Sequence, residues 1–256
     1  MNQVHDYIAV FDSGVGGISV LRHLLRYLPG ERFLYFGDSA NAPYGTKTKE
    51  QVRILTFAAA EMLIKKGIKA LVVACNTATS AAINELREAY PELIVIGIEP
   101  ALKLAADRFP GGHLGVMATP MTLAEEKFAA LMSRFSQNCT IYKLPAPGLV
   151  ELIEAGQGNS SQAEELLRSL LAGVTGKLDA LVLGCTHYPF AKEAISRVVG
   201  EKCLLLDGGE GTARETRRRL EQAGLLRQGE GQVILENTKD DPRLLDLCHR
   251  LLYEEG

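Results

Sequence analysis

Short runs of consecutive apolar residues alternate along the chain with longer stretches whose apolar residues recur at helical spacing. The runs predict strands at 7–11, 32–36, 71–74, 93–98, 114–120, 140–144, 181–184, 204–207 and 232–236. The helical spacing predicts helices at 18–27, 48–66, 79–89, 122–135, 149–155, 162–171, 191–199, 211–223 and 242–253. Strands that are apolar on both faces and alternate with helices are typical of a parallel sheet in an α/β fold.

The chain repeats its pattern after its fourth predicted strand. The strand-and-turn pattern at Ile8 returns at Leu114, the one at Cys75 returns at Cys185, and the one at Val95 returns at Leu204. A nearly constant offset indicates two similar α/β lobes. We therefore predict a first lobe made of 1–98 and 208–256, and a second lobe made of 99–207. No long Pro- or Ser-rich linker separates the halves, so we expect the lobes to touch and to leave a cleft between them.

Composition narrows the functional classes. Of the 256 residues 46% are hydrophobic and 23% are charged, as in ordinary globular proteins, and the net charge is −3 without a strongly basic run. We therefore expect no nucleic-acid partner. No apolar run approaches the roughly 18 residues of a membrane span, and no signal peptide is evident, so we expect a cytoplasmic protein. Five widely spaced cysteines, an odd number, indicate reduced thiols rather than a disulfide framework.

Cys75 and Cys185 are the leading candidates for chemistry. Each ends an apolar strand and is followed by polar residues, and functional groups gather at the carboxyl ends of strands in open α/β sheets. A thiol has an ordinary pKa of about 8.5, so two thiols on opposite sides of one carbon could remove a proton from one face and return one to the other. The alternative is that a cysteine serves as a small buried hydrophobe. We prefer that interpretation for Cys139, Cys203 and Cys248.

Polar neighbours of these cysteines extend the candidate site. Asp12 ends the first strand in a glycine-rich turn, and His187 lies two residues after Cys185. Short polar groups that suit a small carboxylate follow the strand ends, and a Tyr-Gly pair lies in a loop: Ser13, Asn76, Thr77, Thr186, Tyr44 and Gly45. Helix capping and ordinary turn formation remain alternative roles for these residues.

The sequence gives no sign of a cofactor. The C-x-x-C and H-x₃-H spacings of zinc sites are missing, so we expect no metal. The glycines from Gly14 to Gly17 form neither a dinucleotide-binding fingerprint nor a Walker motif, and no lysine stands out as a Schiff-base former.

Four motifs together resemble the cofactor-independent aspartate/glutamate racemase family over essentially the whole chain. They are 11–17 (FDSGVGG), 37–39 with 43–45 (GDS and PYG), 74–78 (ACNTA) and 184–189 (GCTHYP). Within that family, the Cys-Asn-Thr and Cys-Thr-His pair favours the glutamate racemases over the aspartate racemases.

The resemblance implies two α/β lobes related by a pseudo-twofold axis, with the active site between them and no pyridoxal phosphate or metal. It implies interconversion of L- and D-glutamate, with D-glutamate supplied to peptidoglycan synthesis, and often a homodimer. Cys75 and Cys185 match the two catalytic bases, Asp12 matches a group that assists Cys75, and His187 and Glu154 match groups that assist Cys185. Glu154 enters by resemblance alone, with Glu151 close by. The substrate-binding positions of the family match Asp12, Ser13, Tyr44, Gly45, Asn76, Thr77, Thr186 and His187.

Three other functions remain open at this stage. A related aspartate or hydantoin racemase would carry similar residues, and a non-catalytic binding protein could share the fold. Thiol–disulfide exchange would require the two sulfurs to come within bonding range, whereas a substrate carbon between them should keep them apart.

Overall fold

The structure, a computed structural model, describes residues 6–99 and 101–253. The chain divides into two compact units. Unit 1 comprises Met1–Glu99 and Gly209–Gly256, and unit 2 comprises Pro100–Gly208. Each unit is built on its own parallel sheet with helices in the connections, so each is an α/β lobe of the expected class.

Unit 1 contains a five-stranded sheet with the strand order β4-β3-β1-β2-β9. Its strands are β1 (Tyr7–Asp12), β2 (Arg32–Gly37), β3 (Ala70–Val73), β4 (Ile94–Gly97) and β9 (Gln232–Asn237). Its helices are α1 (Ile18–Tyr27), α2 (Lys49–Lys65), α3 (Asn76–Ala89), α10 (Gly209–Gln222) and α11 (Pro242–Tyr253). All residues of β1 and β3 are buried, which explains why these strands are apolar without alternation up to Asp12, the last residue of β1.

Unit 2 contains a four-stranded sheet with the order β6-β5-β7-β8. Its strands are β5 (His113–Ala118), β6 (Thr140–Pro145), β7 (Ala180–Leu183) and β8 (Leu204–Asp207). Its helices are α4 (Leu102–Arg108), α5 (Pro120–Ala124), α6 (Glu126–Ser133), α7 (Leu149–Glu154), α8 (Ser161–Leu171) and α9 (Lys192–Val199). Apolar side chains pack on both faces of this sheet, in two clusters that share its central strands.

The two sheets repeat one topology. In each unit the first strand pairs with the second on one side and with the third on the other, and the fourth strand pairs with the third. All of these pairings are parallel. The repeat in the sequence therefore corresponds to a repeat in strand order, and β9 is the addition that is particular to unit 1, where it pairs with β2.

In three places the helices differ from the sequence-based predictions by more than two residues. Helix α3 begins at Asn76 rather than 79, because Cys75 caps it. The predicted helix at 122–135 is two helices, since Glu125 has an extended backbone with ψ of 137° between α5 and α6. Helix α4 was not predicted, and it buries Leu102, Ala105 and Ala106.

Within unit 1, a buried ion pair ties the loop after α10 to the residues that precede β2 and β3. The Glu31 carboxylate, which is fully buried, lies 2.7 Å from Lys69 Nζ. The same carboxylate accepts a hydrogen bond of 2.7 Å from the backbone N–H of Arg227. This contact fixes the chain that leads into β9.

Of the helices in the ranges 6–99 and 101–253, none combines the length and the apolar character that crossing a membrane requires.

Candidate active site

In unit 1 the candidate residues lie at the carboxyl edge of the sheet. The register pairs Phe11 of β1 with Val73 of β3, and it pairs Asp12 with Gly37 of β2. Asp12, which ends β1, and Cys75, which lies just after β3, are therefore at the same edge of neighbouring strands. This is the edge at which α/β sheets bind their ligands.

Cys75 is held between the end of β3 and the first turn of α3. Its side chain is 5% exposed, and its sulfur accepts a hydrogen bond of 3.5 Å from the backbone N–H of Ala78. The Ser13 hydroxyl lies 3.4 Å from the same sulfur. A helix N-terminus carries partial positive charge, so this position favours the negative thiolate form.

Asp12 is completely buried at the end of β1, where the turn to α1 begins. Its carboxylate accepts a hydrogen bond of 2.9 Å from the backbone N–H of Gly14. Gly17 packs directly against it, and a Cβ atom at that glycine would lie 2.6 Å from Asp12 Cβ. Glycine is therefore needed at position 17 because of the close packing around the carboxylate. The backbone conformation is not the reason, since the φ of −62° at Gly17 is one that any residue adopts.

Tyr44 presents a neutral phenol beside Cys75 and Asp12. It is 1% exposed, and its hydroxyl donates a hydrogen bond of 2.6 Å to Asp38. Burial raises the pKa of Tyr44 well above its ordinary value, with further increases from the hydrogen bond and charge of Asp38 and from the charges of Cys75 and Asp12. The phenol therefore stays protonated at physiological pH. Gly45 follows it in a short 3₁₀ turn, Tyr44–Thr46.

The first turn of α3 carries two more candidates. Asn76 and Thr77 are 6% and 3% exposed. The side-chain nitrogen of Asn76 is buried and has no hydrogen-bond partner among the residues that the structure describes. An unsatisfied buried donor is costly, so this amide suits an acceptor group supplied by a ligand.

In unit 2, Cys185 occupies the position that corresponds to Cys75. It follows β7 at the carboxyl edge, and Gly184 N–H donates a hydrogen bond of 2.7 Å to Met117 O of β5. The sulfur side chain is 8% exposed and Thr186 is 4% exposed. A short 3₁₀ turn, Tyr188–Ala191, leads into α9, so the chain after Cys185 does not form the long helix that follows Cys75.

A chain of three polar side chains runs from Cys185 through His187 to Glu154. Cys185 Sγ lies 3.8 Å from His187 Nδ1, and His187 Nε2 lies 2.9 Å from Glu154 Oε1. The carboxylate accepts from Nε2–H, which leaves Nδ1 to exchange a proton with the sulfur. His187 is 5% exposed, whereas the Glu154 side chain is 31% exposed. This arrangement has the order of a nucleophile or base, a relay and an orienting carboxylate.

Two buried groups next to these residues were absent from the predicted site. Asp38 is 4% exposed and accepts hydrogen bonds from Tyr44, Asn41 and Thr238. Tyr188 is fully buried, and burial followed by the charge of Cys185 raises its pKa far above the ordinary value. Asp38 directly follows β2 at the same sheet edge as Asp12, and this position was the signal in the sequence that could have found it.

The other cysteines have different surroundings. Cys139 Sγ donates to the Phe109 carbonyl at 3.5 Å, and Cys248 is buried on α11. Burial, with a contribution from the charge of Asp179, raises the pKa of Cys203 to about 11, so that thiol stays protonated near neutral pH. In the described ranges, no three His, Cys, Asp or Glu side chains are grouped in a way that would hold a metal ion.

The chain matches a known protein family over most of its length. A family model described as Asp/Glu/Hydantoin racemase matches residues 8–216. The chain belongs to this family. The match includes every candidate residue described above in both units.

Three members of this family that are similar to the chain are glutamate racemases. A glutamate racemase from Clostridium botulinum (strain Langeland) is 50% identical over 95% of this chain and 96% of its own. The structure of Escherichia coli glutamate racemase in complex with L-glutamate and the activator UDP-MurNAc-ala has a TM-score of 0.86 at 30% identity, covering 96% of this chain and 95% of that one. Francisella tularensis glutamate racemase in complex with D-glutamate has a TM-score of 0.85 at 28% identity, covering 100% of this chain and 96% of that one.

Proposed function

We propose that the protein is a glutamate racemase that interconverts L- and D-glutamate, with Cys75 and Cys185 as its two bases. The observation that carries the proposal is the pair of matching cysteines, each at the carboxyl edge of a parallel sheet with a polar partner within 4 Å. The 50% identity to a glutamate racemase supports glutamate as the substrate. Related structures that contain L-glutamate and D-glutamate support it further, because a racemase must bind both enantiomers.

Each turnover moves one proton off the α-carbon and one onto it. The thiolate of one cysteine takes the α-proton and becomes a thiol, and the electron pair of the C–H bond stays on the substrate as a carbanion. The thiol of the other cysteine gives its proton to the opposite face and becomes a thiolate. The net change inverts the α-carbon, and the enzyme is left ready for the reverse reaction.

Cys75 receives its support from the turn at the end of β1 and from α3. The N-terminus of α3 stabilises a thiolate, and the Ser13 hydroxyl can donate to it. Asp12 adds a negative charge on the same edge, which favours the protonated thiol and a positively charged ligand group. A base that must also act as an acid needs neighbours of both kinds.

Cys185 exchanges its proton beside the His187–Glu154 pair. When Cys185 is a thiolate, an imidazolium at His187 lies 3.8 Å from it and is stabilised by the Glu154 carboxylate. When Cys185 is a thiol, the neutral imidazole accepts at Nδ1. The histidine therefore stabilises either state of the sulfur through one tautomer that Glu154 fixes.

Short polar groups of the candidate site suit the carboxylates of the substrate. Asn76 Nδ2 is a buried donor that suits a carboxylate oxygen. We assign the remaining substrate contacts to Ser13, Tyr44, Gly45, Thr77 and Thr186, with Asp12 and His187 contributing to binding as well as chemistry. The D-glutamate that is formed would supply peptidoglycan synthesis.

Proton exchange with solvent tests the reaction. In deuterated water, D-glutamate formed from L-glutamate should carry deuterium at the α-carbon in nearly every molecule, because the returned proton comes from a sulfur that exchanges with solvent. NMR or mass spectrometry of the product checks this. Retention of the original hydrogen would exclude the two-thiol scheme. A higher kcat/KM with aspartate or a hydantoin, measured side by side, would reassign the substrate.

Glu154→Gln tests the Cys185 relay. The amide can present either an oxygen or an N–H to Nε2, so it no longer fixes the tautomer or stabilises the imidazolium; we expect kcat to fall about tenfold with little change in folding. The matched control is Glu151→Gln, one helical turn earlier on α7. Steady-state kinetics should show near-normal kcat for the control. Equal losses in both variants would contradict the assignment of Glu154.

A further inference from the structure

The last residue of β9 and the residue after it contact the segment that follows β2. Thr238 Oγ donates a hydrogen bond of 2.9 Å to Asp38 and accepts one of 3.0 Å from the backbone N–H of Ala40. Asn237 Nδ2 donates a hydrogen bond of 2.8 Å to the Ser39 hydroxyl. These contacts join the C-terminal part of unit 1 to residues 38–40, which are about 200 positions away in sequence.

Asp38 connects Thr238 to Tyr44 in the candidate substrate loop, which is the segment 38–46. One of its oxygens accepts from Tyr44 Oη at 2.6 Å, and the other accepts from Thr238. Asn41 donates to both oxygens, at 3.0 and 3.1 Å. The backbone N–H of Asp38 donates to the Asp12 carbonyl at 2.9 Å. The carboxylate is therefore the centre of a network with Thr238 on one side and Tyr44 on the other.

Gly37 lets β9 approach β2 closely, because it has no side chain. A Cβ atom at this glycine would lie 2.8 Å from Asn237 Nδ2 and 2.5 Å from the Gly14 carbonyl. The strand end at Asn237 is thus packed against the same β2 residue that contacts the turn after Asp12. The register pairs Gly37 with Asn237, and Thr238 N–H donates to the Gly37 carbonyl at 2.9 Å.

We infer that Asn237 and Thr238 are positioning residues for the substrate loop and act through Asp38 on Tyr44. The inference rests on the proposed function, in which Tyr44 and Gly45 bind glutamate. Both residues lie beyond 8–216, the part that the family model matches. The C-terminal segment thereby supplies a part of the binding machinery without touching the substrate: it holds the 38–46 segment in the conformation that binds.

Thr238→Val is the principal variant, because it removes the hydroxyl and keeps the shape. Thr238 is exposed, so the variant should fold. We expect KM for glutamate to rise about fivefold while kcat stays within about twofold, because part of the binding energy must then order the loop. Thr238→Ser retains the hydroxyl and should restore the normal KM. Thr216→Val is the matched control, since its buried hydroxyl donates to Thr212 O within α10, away from the 38–46 segment.

Amide hydrogen exchange of residues 38–46, followed by mass spectrometry, gives a readout that does not depend on activity. Exchange in this segment should accelerate in Thr238→Val and in the double variant Asn237→Ala/Thr238→Val, and it should stay normal in Thr238→Ser and Thr216→Val. Unchanged exchange in the double variant, or a KM within about twofold of normal, would overturn the inference. Loss of the proposed function would appear differently, as a wild-type enzyme that fails to racemise glutamate while the exchange difference persists.

Discussion

Serine in place of Cys75 or of Cys185 is expected to lower kcat for glutamate racemisation by about 10³-fold or more. A hydroxyl is far less acidic than a thiol, so the variant lacks one of the two proton-transferring groups. Serine also keeps a side chain that can cap α3 at position 75, where the sulfur now accepts from Ala78 N–H. The loss would therefore reflect the chemistry of the sulfur rather than damage to the helix.

Polarimetry or circular dichroism at a single wavelength follows the reaction, and far-ultraviolet circular dichroism checks folding. Cys139→Ser serves as the control, because its thiol donates to the Phe109 carbonyl and lies in an apolar cluster of unit 2. We expect the control to keep most of the activity. Full turnover by either catalytic-site variant would end the two-thiol account, whereas an equal loss in the control would indicate that the assay reports on folding.

Gly17→Ala should lower kcat/KM by about 10²-fold and the free energy of unfolding by about 2 kcal/mol. The new methyl group would lie 2.6 Å from Asp12 Cβ and 3.2 Å from the Cβ of Ala74, so both must move. Ala74 immediately precedes Cys75, and the displacement would therefore reach the carboxylate and the sulfur together. Steady-state kinetics and urea denaturation measure the two effects.

The control for this variant is Gly211→Ala. Gly211 lies in α10, and a Cβ atom there meets nothing within 4 Å. We expect normal kinetics and an increase in stability of about 0.5–1 kcal/mol, because alanine is the better helix former. Normal activity in Gly17→Ala would show that the close packing around Asp12 is not needed for function.

The strands could be predicted from the sequence because a strand that is buried on both faces consists almost entirely of apolar residues. Every residue of β1, β3 and β7 is buried, and each strand is an unbroken apolar run apart from Asp12, the last residue of β1. Helix α4 has a weaker periodic pattern in the sequence. Its seven residues make only two turns, and helical periodicity is recognised over a longer window. The break at Glu125 is set by its extended backbone, and glutamate is a residue that favours helices.

A residue of the candidate site could be predicted when its position follows from the local sequence pattern. It could not when its role depends on a contact with a residue far away in the sequence. Cys75, Asp12 and His187 lie at a strand end or within four residues after one, and a strand end can be located from local pattern alone. Glu154 ends a helix 33 positions before His187, and only the folded chain places its carboxylate 2.9 Å from the imidazole. Thr238 shows the same limit more strongly, because its contact with Asp38 depends on the register between β9 and β2. Residues of this kind carry no local signal.

The position of β9 has a consequence for biosynthesis. The edge of β2 that β9 covers is translated early, whereas β9 emerges from the ribosome only after all of unit 2 has been made. The nascent chain therefore carries an open, apolar strand edge throughout that interval, and such edges recruit foreign strands. Unit 2 is continuous in sequence, so all four strands of its sheet are available before β9 is translated. Chaperone protection during synthesis should accordingly concentrate on the first hundred residues until the C-terminal strand arrives.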